Sequence, residues 1–119
     1  MDWYLVKIVY RIICGEGKHI PQFDEQVRIV MAENCSEALE KGRMIGRQEE
    51  ETFYNNREQL VQWKFINVTE LHPLTELTDG AEVFSQIKEI DHAEDYCNFT
   101  HHKHARLNEH VTSITFQTA

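Results

Sequence analysis

The first segment of the chain alternates apolar and polar positions with a period of two, which is the pattern of a β-strand. It covers residues 3–14. Its more apolar face carries Tyr4, Val6, Ile8, Tyr10 and Ile12. The opposite face carries Trp3, Leu5 and Val9 and is interrupted by Lys7 and Arg11. A strand that is apolar on both faces is typical of a sheet centre or of a subunit interface. We therefore expect Trp3, Leu5 and Val9 to contact a second copy of the chain in a homodimer.

A second strand is predicted for residues 23–33, because four apolar side chains share one of its faces. These are Phe23, Val27, Ile29 and Met31. The residues between the two strands, 15–22, contain two glycines and a proline, which indicates a loop. The two strands should therefore pair as an antiparallel hairpin.

A helix is predicted to begin after Asn34 and to continue to about residue 54. Asn34 can accept a hydrogen bond from a backbone N–H, and Glu37 can reach back in the manner of a capping box. Ala38, Gly42 and Gly46 follow one another at intervals of four and therefore share a face. Each helix glycine costs about 1 kcal/mol relative to alanine, so we expect the helix backbone to approach the sheet closely there.

The second half of the chain predicts two more strands and one more helix. Residues 60–72 alternate with a switch near Ile66 that suggests a bulge or a two-sided strand. Residues 81–90 alternate more weakly and predict a fourth strand, and a helix should follow from 91 to about 107. An extra C-terminal strand at 111–116 is an alternative ending.

The fold class expected from these elements is α+β, with an antiparallel sheet, helices on one face and the order β-β-α-β-β-α. The 119 residues fit one domain, 1–119, in which the part from about 108 forms a loosely packed tail.

Net charge restricts the partners that this surface can attract. The formal net charge is −8, which disfavours nucleic acids and anionic membranes and is compatible with a basic protein partner. No apolar run is long enough to cross a bilayer. Cys14, Cys35 and Cys97 are far apart in the sequence, so a reducing compartment, the cytoplasm, is the simpler interpretation.

Six short segments together resemble a bacterial family known only as a domain of unknown function. They read WYLVK, CGEG, PQFDEQ, EALEK, IGR and VQWKF, and the resemblance covers about residues 3–90. It implies a bacterial, cytosolic origin and carries over no catalytic residue. The helix start Ser36-Glu37-Ala38-Leu39 is also similar to that of small antitoxin domains.

A metal site is one candidate for chemistry. On a helix from 91 to 107, Cys97, His101 and His104 fall at i, i+4 and i+7, and thiolate and imidazole groups suit zinc or another transition metal. Three ligands on one helix lie at different heights along its axis, so a fourth ligand from elsewhere is needed for them to converge on one ion. The alternative is a polar helix end, where histidines interact with the helix dipole.

Two further candidates are an acid and a loop. Glu49 falls within the inward stripe of the first helix, where a buried carboxyl could act as a general acid or base, unless the helix frays and exposes it. Gly15 and Gly17 could present backbone N–H groups to an anion or ligand beside Lys18 and His19, although a plain hairpin loop explains the same residues.

No set of nucleophile, base and orienting group is found, so the sequence names no reaction. We expect a non-enzymatic, cytoplasmic binding or regulatory domain that forms a homodimer. Two alternatives stay open. One is an acidic inhibitor or immunity-type protein for a basic partner, and the other is a small metal-binding protein or enzyme that uses the Cys97, His101 and His104 face or Glu49.

Overall fold

A computed structural model describes residues 1–118, with side chains described through residue 114. The chain divides into two compact units, Met1–Ser85 and Gln86–Ala119. The first unit contains a four-stranded sheet and one helix, and the second contains one helix. The predicted order β-β-α-β-β-α is confirmed, as is the α+β class. That the whole chain forms one domain stays a prediction.

The sheet is antiparallel throughout and has the strand order β2-β1-β4-β3. Its strands are β1 (Asp2–Cys14), β2 (Gln22–Ala32), β3 (Glu51–Tyr54) and β4 (Leu60–Leu74). The predicted hairpin of β1 and β2 pairs without interruption from Asp2↔Ala32 to Ile12↔Gln22. The register between β1 and β4 shifts twice, and one shift lies beside Ile66, where the bulge is predicted.

Helix α1 (Cys35–Gln48) covers one face of this sheet. Asn34 Oδ1 accepts a hydrogen bond from the Glu37 N–H at 2.9 Å, which confirms the predicted cap. The core lies between α1 and the sheet. It is built from Tyr4, Val6, Ile8, Tyr10, Val30, Ala32 and Ala38.

Two glycines let α1 lie close to β4, as predicted. A Cβ built on Gly46 would overlap the Phe65 ring, and one on Gly42 would lie 3.1 Å from Val68. The Tyr10 hydroxyl donates a hydrogen bond of 3.0 Å to the Gly46 carbonyl, which fixes the helix end over the sheet.

The predicted end of α1 is wrong by about six residues. The helix ends at Gln48, and Glu51–Tyr54 form β3, which pairs with β4. Thr52, Phe53 and Tyr54 are β-branched or aromatic and favour a strand once β4 offers a partner.

The predicted strand at 81–90 is also wrong, because these residues have no regular structure. The helix predicted from 91 begins two residues later and continues well past 107, as α2 (Ala93–Thr118). The alternative strand at 111–116 is therefore helical. Neither helix is long and apolar enough, over the residues described, to cross a membrane.

Candidate functional site

The sheet face opposite α1 carries a groove of about 300 Å³. It is lined by Leu5, Lys7, Val27, Glu70, His72, Val83 and Phe84, and we call it the β1–β4 groove. Most of its wall is apolar, and the charged groups are confined to one strand pair. Such a mixture is typical of sites that bind an apolar group and orient it with a few polar contacts.

Strand register explains how these side chains meet. Lys7 lies opposite Glu70 on β4 and opposite Val27 on β2, while Leu5 lies opposite His72. Because side chains two residues apart share a face, Leu5 and Lys7 both point away from α1. Val83 and Phe84 come from the irregular segment after β4 and form the remaining wall.

Lys7 is the centre of a charge cluster at the groove. Its Nζ lies 3.1 Å from Glu70 Oε2 and 3.3 Å from Glu25 Oε1. The hydrogen bond to Glu70, and then the one to Glu25, raise the pKa of Lys7. The bond from Lys7 lowers the pKa of Glu70. Both shifts favour the charged forms of Lys7 and Glu70. With two carboxylates around one ammonium group, the cluster has a formal surplus of one negative charge.

His72 contributes a second polar atom. Its ring packs edge-on against Phe84, with centroids 4.9 Å apart. Its Nε2 is buried, lies 3.5 Å from Glu70 Oε1 and makes no hydrogen bond within the described part of the chain. Its nearest polar partner is therefore the Glu70 carboxylate, which also contacts Lys7.

Strand β2 adds an exposed apolar surface beside the groove. Phe23, Val27 and Ile29 are 54%, 60% and 50% exposed, and we call them the β2 strip. They share the groove face because they alternate with Asp24, Gln26 and Arg28. The strip lies on the edge strand of the sheet.

The predicted interface residues lie on the same face, but they are less accessible than expected. Leu5 is only 4% exposed, and Trp3 and Val9 are half-buried. Leu5 is covered because it lines the β1–β4 groove. The accessible apolar surface on this face is thus the β2 strip rather than β1.

Glu49 is not a buried acid. It follows the last turn of α1, its side chain is 51% exposed, and its Oε1 lies 3.6 Å from Arg28 NH1. The helix ends before Glu49, so the carboxyl turns towards water and a cation. With Gln26, Arg28, Glu51 and Trp63 it lines a small polar cavity of about 140 Å³ on the α1 side.

The loop at 15–21 does not hold its N–H groups free for an anion. The Gly15 N–H donates to the Leu60 carbonyl at 2.7 Å, and the Gly17 N–H donates to the Cys14 carbonyl at 3.0 Å. His19 Nε2 accepts from the Cys14 N–H, and Lys18 pairs with Glu16. The loop is therefore a hairpin connection stabilised from within.

The metal candidates Cys97, His101 and His104 lie on α2 and are exposed. Among the described residues, no three His, Cys, Asp or Glu side chains are grouped so that they could hold a metal ion. Zinc binding stays a prediction that needs ligands from outside this set.

Sequence reasoning missed the groove for identifiable reasons. The sequence pattern presents Lys7 only as an interruption of an apolar face of the first strand. It also places Phe84 in the strand predicted at 81–90. Glu70 and His72 are near each other in sequence, but only the β1–β4 register places them beside Lys7. A charged residue in the middle of an otherwise apolar strand face is the signal that could have found the site.

Comparison with known families identifies a family that matches most of the chain. Residues 3–85, which are more than half of the chain, match the family described as Domain of unknown function (DUF4288). No curated protein and no solved structure matches the chain. The matched residues include the sheet except for Asp2, all of α1 and every lining residue of the β1–β4 groove.

Proposed function

Because this chain belongs to the Domain of unknown function (DUF4288) family, whose description assigns no activity, we propose its function from the groove geometry. The proposed function is non-enzymatic binding of a basic segment of a partner protein in the β1–β4 groove. The protein acts as a homodimer in the bacterial cytoplasm. The observation that carries this proposal is an apolar groove with a surplus carboxylate at its charged end.

The charge cluster favours recognition over catalysis. General acid–base catalysis needs a pKa close to the working pH. The contacts between Lys7 and Glu70 move both pKa values away from neutrality, in opposite directions. A lysine and a glutamate that hold their charges so firmly can orient a partner but are poor proton carriers.

The chemistry of the groove indicates what the partner segment contains. A groove of about 300 Å³ accommodates a large apolar side chain, which would contact Leu5, Val27 and Phe84. A Lys or Arg next to that side chain would pair with Glu25 or Glu70. The net charge of −8 would attract a basic partner over a longer range.

Separate observations support the proposed homodimer and the proposed cytoplasmic location. The β2 strip exposes three large apolar side chains that a second copy would cover. Cys14, Cys35 and Cys97 are all free thiols, as expected in a reducing compartment.

Native mass spectrometry tests the dimer, which should appear at twice the chain mass of 14.1 kDa. A monomer at micromolar concentration would contradict it.

Three blocked tripeptides test the groove. Acetyl-Lys-Leu-Lys-amide carries the apolar anchor and the basic neighbours, acetyl-Glu-Leu-Glu-amide reverses the charges, and acetyl-Lys-Ser-Lys-amide removes the anchor. Titration into labelled protein, followed by amide NMR shifts, should give a Kd of about 1 mM for the first peptide. The other two should bind about tenfold more weakly. Equal binding of all three, or shifts centred away from the groove, would contradict the proposal.

A further inference from the structure

The outer edge of β2 is a long pairing surface. Eleven residues of β2 pair with β1 without a bulge, and no further strand of the described chain pairs with the other side of β2. The other sheet edge, β3, has only four residues. Long, regular and partly apolar edge strands are the ones that pair with another chain.

Symmetry limits how two such edges can meet. In an antiparallel pair related by a two-fold axis, one residue of β2 lies opposite its own copy, and the others pair around it. A pair centred on Glu25 would place two glutamates opposite each other, and one centred on Arg28 would place two arginines opposite each other. Like charges directly opposite are destabilising.

The two remaining central registers, centred on Val27 and on Gln26, differ in which residues lie opposite the charged side chains. A pair centred on Val27 places Asp24 opposite Val30 and leaves its charge without a cation. A pair centred on Gln26 places Asp24 opposite Arg28, twice by symmetry. On the groove face, the same register places Phe23 opposite Ile29, also twice, so opposite charges meet on one face and apolar side chains on the other.

Asp24 and Arg28 can each form this additional contact between the two copies. The hydrogen bonds that Asp24 accepts from Gln26 and Trp63 go to Oδ2, and none from a described residue goes to Oδ1. Arg28 donates through Nε and NH2 to Gln26, and its NH1 lies 3.6 Å from Glu49. A guanidinium has five N–H donors, so Arg28 can bind a second carboxylate.

We propose that two copies of the chain pair edge to edge through antiparallel β2 strands, with Gln26 of each copy on the two-fold axis. The inference rests on the homodimer of the proposed function and adds its surface and register. It places Phe23 of the β2 strip beside Ile29 of the partner subunit and joins the two sheets into one of eight strands.

This register also makes the β1–β4 groove a shared site. Val27 lines the groove, and Glu25 of the partner subunit lies opposite it. Each groove therefore gains a carboxylate from the second copy beside Glu70 and the chain's own Glu25. The added charge strengthens the preference for a basic segment.

A cysteine scan along β2 tests the register. In a parent with Cys35→Ser and Cys97→Ser, single cysteines replace residues 24 to 28, and disulfide-linked dimer is quantified after mild oxidation. At the axis the two Cα atoms are about 5 Å apart, while neighbours are offset to about 8 Å, beyond disulfide reach. The dimer yield should peak at position 26 and fall at least fivefold at 25 and 27.

The outcomes separate the register from the dimer. A peak at 27 would overturn the register and keep the edge pairing. A native dimer that cross-links at none of the five positions would overturn the edge pairing while the homodimer stands. A monomer by native mass spectrometry would overturn both. The parent, which retains only Cys14, should give no cross-link.

A charge exchange provides a second test that does not rely on cysteine. Arg28→Asp places an aspartate opposite Asp24 and should raise the dimer Kd about tenfold. The double variant Asp24→Arg, Arg28→Asp restores opposite charges and should recover a Kd within about threefold of wild type. Arg43→Asp, a reversal on α1 away from the edge, is the control and should leave the Kd unchanged. Failure of the double variant to recover, with its circular dichroism unchanged, would contradict the register.

Discussion

At the scale of single residues, Gly46 explains how α1 and the sheet fit together. The missing side chain lets the Phe65 ring occupy the space beside the helix backbone, and the Tyr10 hydroxyl binds the Gly46 carbonyl. The sequence predicts this approach correctly, because Ala38, Gly42 and Gly46 recur every four residues. It does not predict that Phe65 is the contacting residue, since that depends on the bulged register of β4.

Gly46→Ala should therefore destabilise the protein, although alanine is the better helix former. The added methyl group overlaps the Phe65 ring, and overpacking of this kind costs about 1–3 kcal/mol. Urea denaturation followed by circular dichroism measures the change. Gly42→Ala is the matched control, because its nearest contact of 3.1 Å needs only a small shift of Val68, and it should cost less. A Gly46→Ala protein more stable than wild type would contradict the packing described.

The contacts of Glu70 make the stability of the protein depend on pH, and they set the direction of that dependence. Its pKa is lowered on folding, so its contribution to stability is present above its unfolded pKa near 4.5 and is lost as the pH falls through the folded value. The pKa of Lys7 is raised, so its contribution is present below about 10.5 and is lost at higher pH. The pair therefore stabilises the fold between these two limits.

Glu70→Gln should remove the part of this pH dependence of stability that appears at low pH. The difference in unfolding free energy between wild type and Glu70→Gln should be constant from about pH 6 to pH 9 and should shrink below about pH 4.5. Urea titrations at several pH values measure it. The control is Glu76→Gln, which lies outside the cluster and should show no such trend. A difference that stays constant down to about pH 2 would contradict the ion pair.

At the scale of elements, the errors of the sequence prediction arise where local preference and pairing compete. Residues 51–54 continue a helical pattern, but they pair with β4 as β3. Residues 81–90 alternate weakly, yet they form no regular structure, and the segment instead supplies Phe84 to the groove. The hairpin, the cap at Asn34 and the bulge were predictable because each leaves a local signal in the sequence: a turn between two strands, an Asn before a helix and a break in the alternation.

The β3–β4 turn contains a local strain that a substitution can relieve. Glu58 has a φ of 61°, in the left-handed region that disfavours residues with a Cβ. Glu58→Gly should stabilise the protein by up to about 1 kcal/mol in urea denaturation. Arg57→Gly, one position earlier, is the control and should destabilise it slightly, since it only adds freedom to the unfolded chain. Destabilisation by Glu58→Gly would show that the turn is not strained.

At the scale of the whole molecule, the fold class and the order of elements were accessible from sequence, whereas the site was not. The groove depends on β1 lying between β2 and β4, which brings Lys7 and Glu70 together from opposite ends of the first unit. The acidic charge of the chain, read from composition, agrees with the carboxylates found there. The proposed dimer that binds basic segments rests on three features, namely the groove, its surplus carboxylate and the long edge of β2.

The most direct test of that binding is a comparison of two phenylalanines. Phe84 and Phe53 are both 43% exposed and each contacts one aromatic ring, but only Phe84 lines the β1–β4 groove. Titrated with acetyl-Lys-Leu-Lys-amide, Phe84→Ala should bind at least fivefold more weakly than wild type, and Phe53→Ala should bind like wild type. Equal affinity of Phe84→Ala and wild type would contradict the groove as the binding site.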